Sequence, residues 1–484
     1  MRKKRNKEIL QDVPITGYAA EGRAIARLKK ENEEAGKILF VSSVIPGDRA
    51  DILVVKNKKD WAEGRPIKIT HFSSDRIEPF CRHFGVCGGC KWQMLPYQKQ
   101  LEFKQQEAEQ NIKRIGRQEN FLILPIAGSE KTKAYRNKLE FTASNKEYIV
   151  DLNSGNDTKK AGALGFHVPR IFDKTIDIYE CHLMDDVNNR IRNTIRDYAL
   201  YHQIEFYDIR EHTGWLRNII IRYCTTGELM VNVIVNYEDD QPIKLLLNHL
   251  LEKVPHISTL LYTVNTKWND SIFDLKPVVY FGNGYVIEKL GAYKFMIGPK
   301  SFFQTNTAQA EKLYTIAAGF AALTGIETVY DLYCGTGSIG IFMSNKAKKI
   351  IGVEIIEEAI EDAKKNAELN NVGHINFFAG DVIKICNNEF FAAHGRPDVI
   401  LTDPPRAGMH EKLVNKLLEI EAPKIVYISC NTATQARDIA LLSEKYKLIK
   451  LQPVDMFPHT HHIESVAPVS YTHLTLPTSV LVSI

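Results

Sequence analysis

Eight cysteines carry the first chemical signals in this chain of 484 residues: Cys81, Cys87, Cys90, Cys181, Cys224, Cys334, Cys386 and Cys430. Three of them fall within ten residues, spaced Cys81-x5-Cys87-x2-Cys90, and the last two sit in the glycine-rich piece Gly85-Val-Cys87-Gly88-Gly89-Cys90. Clustered thiolates are ligands for zinc or for iron–sulfur groups. Zinc favours two close pairs. Unequal gaps with glycines suit a backbone that wraps a bulkier cluster and donates N–H groups to its sulfurs. The spacing favours iron–sulfur over zinc or a plain reduced cluster, with distant Cys181 the candidate fourth ligand.

Cys430 is different. It stands alone between Ser429 and Asn431, at the end of the β-rich run KIVYISC (424–430). A lone cysteine more often packs as a small hydrophobe. That is our reading of Cys334, inside a glycine-rich turn, and we assign nothing to Cys224 or Cys386. Delivery by a strand end makes Cys430 a candidate nucleophile, although a free thiol with a pKa of ~8.5 needs local help to ionise. Neighbouring strand candidates also end in polar groups: Asp331 before Gly335-Thr-Gly337-Ser-Ile-Gly340, then Glu354, Asp381 and Asp403-Pro404-Pro405-Arg406. In an open α/β sheet, ligands bind outside the carboxyl ends of the strands. The G-x-G-x-x-G turn suits a nicotinamide cofactor or S-adenosylmethionine. Asp331 would repel a pyrophosphate but pair with a methionine ammonium. Glu354 can accept from ribose hydroxyls, and Asp-Pro-Pro-Arg has no part in the dinucleotide fingerprint. These features favour S-adenosylmethionine. Pro458-His-Thr-His-His-Ile-Glu464 resembles a zinc site at first sight, but no matching ligands lie nearby in sequence, and Glu464 as an acid/base is the sharper reading.

The elements that must hold these groups alternate from about residue 305. Strand candidates at 327–334, 348–355, 375–381, 397–405, 424–430 and 446–457 are separated by helical stretches such as 357–371, the pattern of a parallel doubly wound sheet. Residues 8–72 read as short strands, with Pro46-Gly47-Asp48 a turn, and their spacing fits a five-stranded barrel of the oligonucleotide-binding type. Residues 97–116 read as one helix ended by Gly116. The topology of residues 120–300 does not follow from pattern alone. The length allows about three domains at ~150 residues each. Hydrophobic residues at 44% and charged residues at 25% exclude a disordered, collagenous or small disulfide-stapled chain. No run approaches the ~18 apolar residues of a membrane span. The basic start MRKKRNKEIL lacks a signal peptide's apolar core, so the expectation is a cytoplasmic protein with no membrane association. Net charge is only +4, but residues 1–30 carry nine Lys/Arg against three acids, an arm suited to phosphate or simply to solvent.

The pieces FGVCGGCKWQ (84–93), YRNKLEF (135–141), FFQTN (302–306), DLYCGTGSIG (331–340), GVE (352–354), DPPRAG (403–408), SCN (429–431) and FPHTHHIESV (457–466) together resemble the RNA uracil-5 methyltransferase family, in its order and over nearly the whole chain. Gly17–Ala26 resembles a TRAM domain, a small RNA-binding barrel. The layout is most similar to the bacterial 23S ribosomal RNA enzymes of the 1939-position type. The resemblance implies an α/β protein: a TRAM barrel over 1–72, a central mixed α+β domain with the cluster over 73–300, and a Rossmann-like methyltransferase domain over 301–468. It implies S-adenosylmethionine held by Gln304, Tyr333, Glu354 and Asp403, Cys430 as nucleophile and Glu464 as base. It also implies a [4Fe–4S] cluster on Cys81, Cys87, Cys90 and Cys181, 23S ribosomal RNA as partner, and a monomer. In that family the chain stops after an apolar stretch. Here ESVAPVSYTHLTLPTSVLVSI follows, with Pro468 expected to break the strand, so residues 469–484 read as a foreign tail. The rivals are a transfer-RNA enzyme of the same chemistry, a non-catalytic RNA-binding assembly factor and a nicotinamide oxidoreductase.

Overall fold

The structure is a computed structural model describing residues 8–28, 36–149 and 162–472. Part of the basic arm (1–7 and 29–30) and residues 473–484 lie outside the described residues.

Six strands open the chain: β1 (Ile9–Pro14), β2 (Gly17–Ala19), β3 (Arg23–Leu28), β4 (Lys37–Val41), β5 (Arg49–Asn57) and β6 (Trp61–His71). Their order is β1-β5-β6-β4-β3-β2, one strand more than the five expected. Alternation sets the inner face: Ala24 and Ala26 on β3 and Leu39 and Val41 on β4 are buried. Register shifts at three points let the long β5–β6 pair bend over that small core. The expected turn at Pro46-Gly47-Asp48 forms, and the buried Asp48 carboxylate accepts from the Ile45 amide at 2.8 Å.

Helix α1 (Tyr97–Arg114) follows the cysteine segment, with Gly116 just beyond its end as expected. Its buried residues, Gln100, Lys104, Ala108 and Ile112, recur every four positions and so form one face. Two of them are polar. After the short β7 (Leu122–Ile123) comes the central sheet of β8 (Lys138–Ser144), β9 (Ala163–His167), β10 (Thr175–Asp177), β11 (Leu216–Tyr223), β12 (Leu229–Val235), β13 (Thr259–Val264) and β14 (Val278–Phe281), ordered β10-β9-β8-β11-β12-β13-β14. Its core includes Cys181, with Cys87 and Cys90 packed against it.

A hairpin, β15 (Val286–Leu290) and β16 (Tyr293–Ile297), leads to the alternating half: β17 (Thr328–Leu332), β18 (Lys349–Glu354), β19 (Ile375–Ala379), β20 (Val399–Thr402), β21 (Lys424–Ser429), β22 (Tyr446–Leu448), β23 (Lys450–Val454) and β24 (Glu464–Tyr471). The sheet runs β19-β18-β17-β20-β21-β24-β23-β7, with β22 beside β24. Strands β17 to β21 are parallel and β24 is antiparallel to β21. This is the expected doubly wound, Rossmann-like sheet. Its order reverses between β17 and β20, which opens a crevice at their carboxyl ends.

Three boundaries shift. The run at 446–457 is two strands, β22 and β23, rather than one. The break at residue 300 cuts through a packed body. The α1 residues Ala108 and Ile112 share a core with Tyr330, Ile400 and Tyr427. Strand β7 extends the C-terminal sheet, and the β15–β16 hairpin buries Val286, Leu290, Phe295 and Ile297 against β17 and its neighbours. The break at residue 468 also moves. Pro468 does not end the strand: β24 continues to Tyr471, with Val469 buried opposite Ile425 on one flank and Leu448 on the other. Residues 469–471 therefore belong to the sheet.

Candidate functional site

The crevice at β17 and β20 collects the carboxyls expected there. Asp331, on β17 and fully buried, accepts the Gly340 amide on Oδ2 at 3.0 Å, while its Oδ1 is buried with no partner. Burial, then Asp403 and Glu354, push its carboxyl up to about 7. Glu354 ends β18. Its Oε2 accepts the Gly335 amide at 3.2 Å and its Oε1 the amides of Ile355 and Ile356 at 2.8 and 3.1 Å. Asp403 follows β20, where its amide donates to the Leu332 carbonyl at 3.4 Å, and burial pushes its carboxyl up to about 7. Asp381 caps the short helix after β19 by accepting the Ile383 amide at 2.9 Å.

The turn between β17 and β18 needs positive φ. Gly337 has φ 76°, and a Cβ there would lie 2.7 Å from the Phe377 ring. Tyr333 holds φ 62° without being glycine, a conformation a bulky side chain adopts only when its surroundings fix it. Its phenol is raised by burial and by Asp381, Asp438 and Glu354. Gln304 is buried just before helix Thr307–Ala321, and its carbonyl accepts Asn137 Nδ2 at 3.0 Å. That helix carries Tyr314, whose hydroxyl lies 2.9 Å from Ser338 Oγ and senses Asp403, Asp331 and Glu464. An acid-lined crevice with an orphaned buried carboxylate oxygen is suited to a cation. It fits the ammonium and sulfonium of S-adenosylmethionine better than a pyrophosphate.

Cys430 and Glu464 come together beside Asp403. Ser429 is the last residue of β21, and its hydroxyl accepts the Asn431 amide at 3.1 Å. Asn431 caps the next helix by accepting the Ala433 amide at 3.0 Å, and its Nδ2 donates to the Arg406 carbonyl at 3.2 Å. The Ser-Cys-Asn turn is thereby fixed to the Asp-Pro-Pro-Arg turn. Burial, then Glu464 and Asp403, push the Cys430 thiol up to about 11, while Arg406 opposes the rise. Glu464 opens β24, opposite Val454, and its carboxyl is raised well above the usual range by burial and Asp403.

The cysteines of the first half also meet. Cys81, Cys87, Cys90 and Cys181 line one recess, with Phe80, His83, Phe166 and His182 in its wall. The Gly89 amide donates to Cys87 Sγ at 3.4 Å, and Asn189 Oδ1 accepts the Cys181 amide at 2.7 Å. Burial foremost, with the neighbouring thiols adding, pushes Cys87 up to about 12; burial does the same to Cys90, up to about 11. Among the described residues, no group of three or more His, Cys, Asp or Glu is arranged to hold a single metal ion. The donor set suits a larger thiolate-bound group: four sulfurs around a cavity, with a backbone N–H already aimed at one of them.

The histidine run is largely buried beside the cleft. Burial lowers His459 to about 4, His461 to about 3 and His462 to about 4, and Arg406 Nη2 donates to His462 Nδ1 at 3.3 Å. Sequence reasoning missed the supports of this loop. Lys104 and Asp455, both fully buried, pair at 2.6 Å, and the Tyr97 hydroxyl donates to Asp455 at 2.7 Å. A lysine on a helix face that is otherwise buried was the available signal.

The comparisons agree with this geometry. A family model described as tRNA (Uracil-5-)-methyltransferase matches residues 279–470. A Bacteroides thetaiotaomicron protein named "Uncharacterized RNA methyltransferase" is 50% identical over 453 residues, covering 93% of this chain and 98% of its own. A Porphyromonas gingivalis protein of the same name is 46% identical over 461 residues, covering 93% and 98%. The crystal structure of Pyrococcus abyssi tRNA (uracil-54, C5)-methyltransferase in complex with S-adenosyl-L-homocysteine is 26% identical, with a TM-score of 0.71, covering 95% of this chain and 100% of that one. With 50% identity over nearly its full length to a protein named as an RNA methyltransferase, and a matching family model over residues 279–470, the chain belongs to the S-adenosylmethionine-dependent RNA uracil-5 methyltransferase family.

Proposed function

We propose that the protein methylates carbon-5 of a specific uridine in 23S ribosomal RNA, of the 1939-position type, through a covalent adduct with Cys430. The observation that carries the chemistry is the convergence of Cys430, Glu464 and Asp403 at the ends of β21, β24 and β20, seen in the raising of Cys430 by Glu464 and Asp403 and of Glu464 by Asp403. S-adenosylmethionine supplies an electrophilic methyl group; Gln304, Tyr333, Glu354 and Asp403 would hold it. Carbon-5 of uracil is a poor nucleophile. Addition of the Cys430 thiolate to carbon-6 makes the ring an enolate rich at carbon-5. Once carbon-5 carries the methyl group, Glu464 takes its proton and the thiolate leaves. The target base must be out of its stack to reach this cleft.

In this reading residues 1–72 are a TRAM barrel that helps hold the RNA. The four-cysteine recess holds a [4Fe–4S] cluster, and the protein works as a cytoplasmic monomer. Two observations favour a second reading, transfer RNA: the matching family model is described as tRNA (Uracil-5-)-methyltransferase, and the Pyrococcus abyssi enzyme, named for a transfer-RNA uracil, is matched over its full length. Mapping 5-methyluridine in 23S ribosomal RNA and in transfer RNA from a deletion strain separates the two. Loss of a 23S site that a wild-type copy restores, and a Cys430→Ala copy does not, is the expected result. Loss confined to transfer RNA moves the substrate to the second reading, and loss from neither overturns the activity.

A further inference from the structure

His459 is gripped by the cysteine segment and α1. Its carbonyl accepts the amides of Lys91 and Trp92, the two residues after Cys90, at 2.8 and 3.1 Å. Its amide donates to Gln100 Oε1 at 2.8 Å. Gln100 is fully buried, and its Nε2 donates to the carbonyls of Trp92 and Leu95 at 3.0 and 2.9 Å and lies 3.2 Å from His459 Nδ1. The His459 ring packs edge-on against Phe80, next to Cys81, at 5.0 Å. Phe80 in turn packs against His182, next to Cys181, at 5.5 Å. Both Phe80 and His182 line the recess. Cys81 and Cys90 thus reach His459 through an adjacent residue, and Cys181 reaches it through His182 and then Phe80. The His459 backbone has φ 64°, a conformation its neighbours must impose. The residues just before it are held from the same side: Lys104 Nζ donates to the Phe457 carbonyl at 3.2 Å and the Tyr135 hydroxyl to the Pro458 carbonyl at 3.1 Å. Five residues after it, Glu464 begins β24.

We propose that the four-cysteine module is the mould for the 455–463 loop, with His459 the positioning residue through which it sets Glu464. The inference rests on the reading of the recess as a cluster site and of Glu464 as the base. A filled recess fixes Cys81, Cys90 and Cys181. These fix Phe80, the Lys91–Trp92 amides and His182 around His459, and the chain then enters β24 in one register.

Hydrogen exchange read by mass spectrometry on the full chain tests this without turnover. The expected result is that stripping iron from the wild type speeds exchange of residues 455–463 by ~10-fold or more, the scale of losing a buried hydrogen bond, while β21 stays protected. Gln100→Leu with iron retained should do the same. Gln100→Glu, which keeps the acceptor for the His459 amide, should stay closer to wild type. Incubated with RNA and S-adenosylmethionine, both loosened forms should accumulate a methylated protein–RNA adduct, because release is the step that needs Glu464. Unchanged exchange at 455–463 after iron removal, or a rise shared equally by β21, overturns the mould. If Gln100→Leu does not fold, the stripped wild type and Gln100→Glu decide the question. Faster exchange without an adduct keeps the coupling and removes Glu464 as base. Protein purified anaerobically without iron removes the cluster reading, and the Gln100 variants then judge His459 alone.

Discussion

A cleft in which Asp403 and Glu464 stand near the Cys430 thiol, with Arg406 the cation opposing the rise of Cys430 and Glu464, and in which Asp331 is raised beside Asp403, favours protonated carboxyls. Asp331 and Asp403 are pushed up to about 7, and Glu464 well above its usual range, by burial first. A bound cation favours the ionised carboxylates and lowers all three. Binding of S-adenosylmethionine near pH 7 should therefore release protons, and affinity should rise with pH up to about 7. S-adenosylhomocysteine, lacking the sulfonium charge, should release fewer. Calorimetric titration in buffers of different ionisation enthalpy measures this, and net proton uptake would contradict it. Linkage has the matching sign: a carboxyl raised from 3.8 to about 7 in the folded state gives stability that is full below 3.8 and lost as pH rises through about 7. The ligand-free protein should lose stability over that range, and the ligand should restore it. Glu464→Gln isolates the release step. A positioned base contributes ~100- to 10,000-fold, so this variant should still add to RNA and transfer methyl while a methylated adduct survives denaturing electrophoresis. Near-normal turnover with no adduct would assign the proton to another group.

At the scale of elements, β24 is the clearest case of what the sequence does and does not disclose. The strand ends at Asp331, Glu354, Asp403 and Cys430 were legible because βαβ periodicity brings every carboxyl end to one edge. Proline in a strand was read as a break, since it cannot donate to a ladder. Yet Pro468 needs no donor at its position, and its carbonyl accepts the Ile449 amide at 3.1 Å. The supports of the 455–463 loop were not legible. Lys104 meets Asp455 across 351 positions of sequence, and no periodic pattern reports such a pairing. A chain stopped after Pro468 loses Val469, Ser470 and Tyr471, and with them every partner that β22 has in β24. Burying a valine is worth ~1.5–3 kcal/mol, so this truncation should lower the melting temperature by several degrees and cut the folded yield. A chain stopped after Thr472 should keep both melting temperature and activity. Equal behaviour of the two would show that the edge of β24 carries no stability.

Across the whole molecule, three units that are distant in sequence close over one point. Gly22, in the β2–β3 turn of the N-terminal sheet, has φ 67°, and a Cβ there would lie 2.8 Å from His461 Cβ and 3.1 Å from the Trp92 ring. The Trp92 indole donates to the Gly22 carbonyl at 3.4 Å, and its ring packs on Tyr18 at 5.2 Å. The cysteine segment therefore docks the N-terminal sheet directly onto the loop that leads to Glu464. Charge collects at the same junction: burial lowers Lys91, Glu21 opposes this, and Arg23, Arg406 and Arg170 lower it further. Four cations from four segments, with Glu21 the acid among them, outnumber the acids at this junction and suit a polyanion, and each phosphate they neutralise adds to the salt dependence of binding. Gly22→Val replaces the smallest contact at this junction with a branched side chain in a backbone conformation valine resists. It should pry the N-terminal sheet off Trp92 and His461 while leaving β17, β18 and β20 untouched. The expected outcome is a KM for RNA raised by ~10-fold, the scale of one lost charge-assisted contact, with a shallower salt dependence and S-adenosylmethionine affinity unchanged. An unchanged KM would mean the N-terminal sheet contributes no RNA contact through this junction. A parallel loss of S-adenosylmethionine affinity would mean the substitution acts on the cleft rather than on its rim.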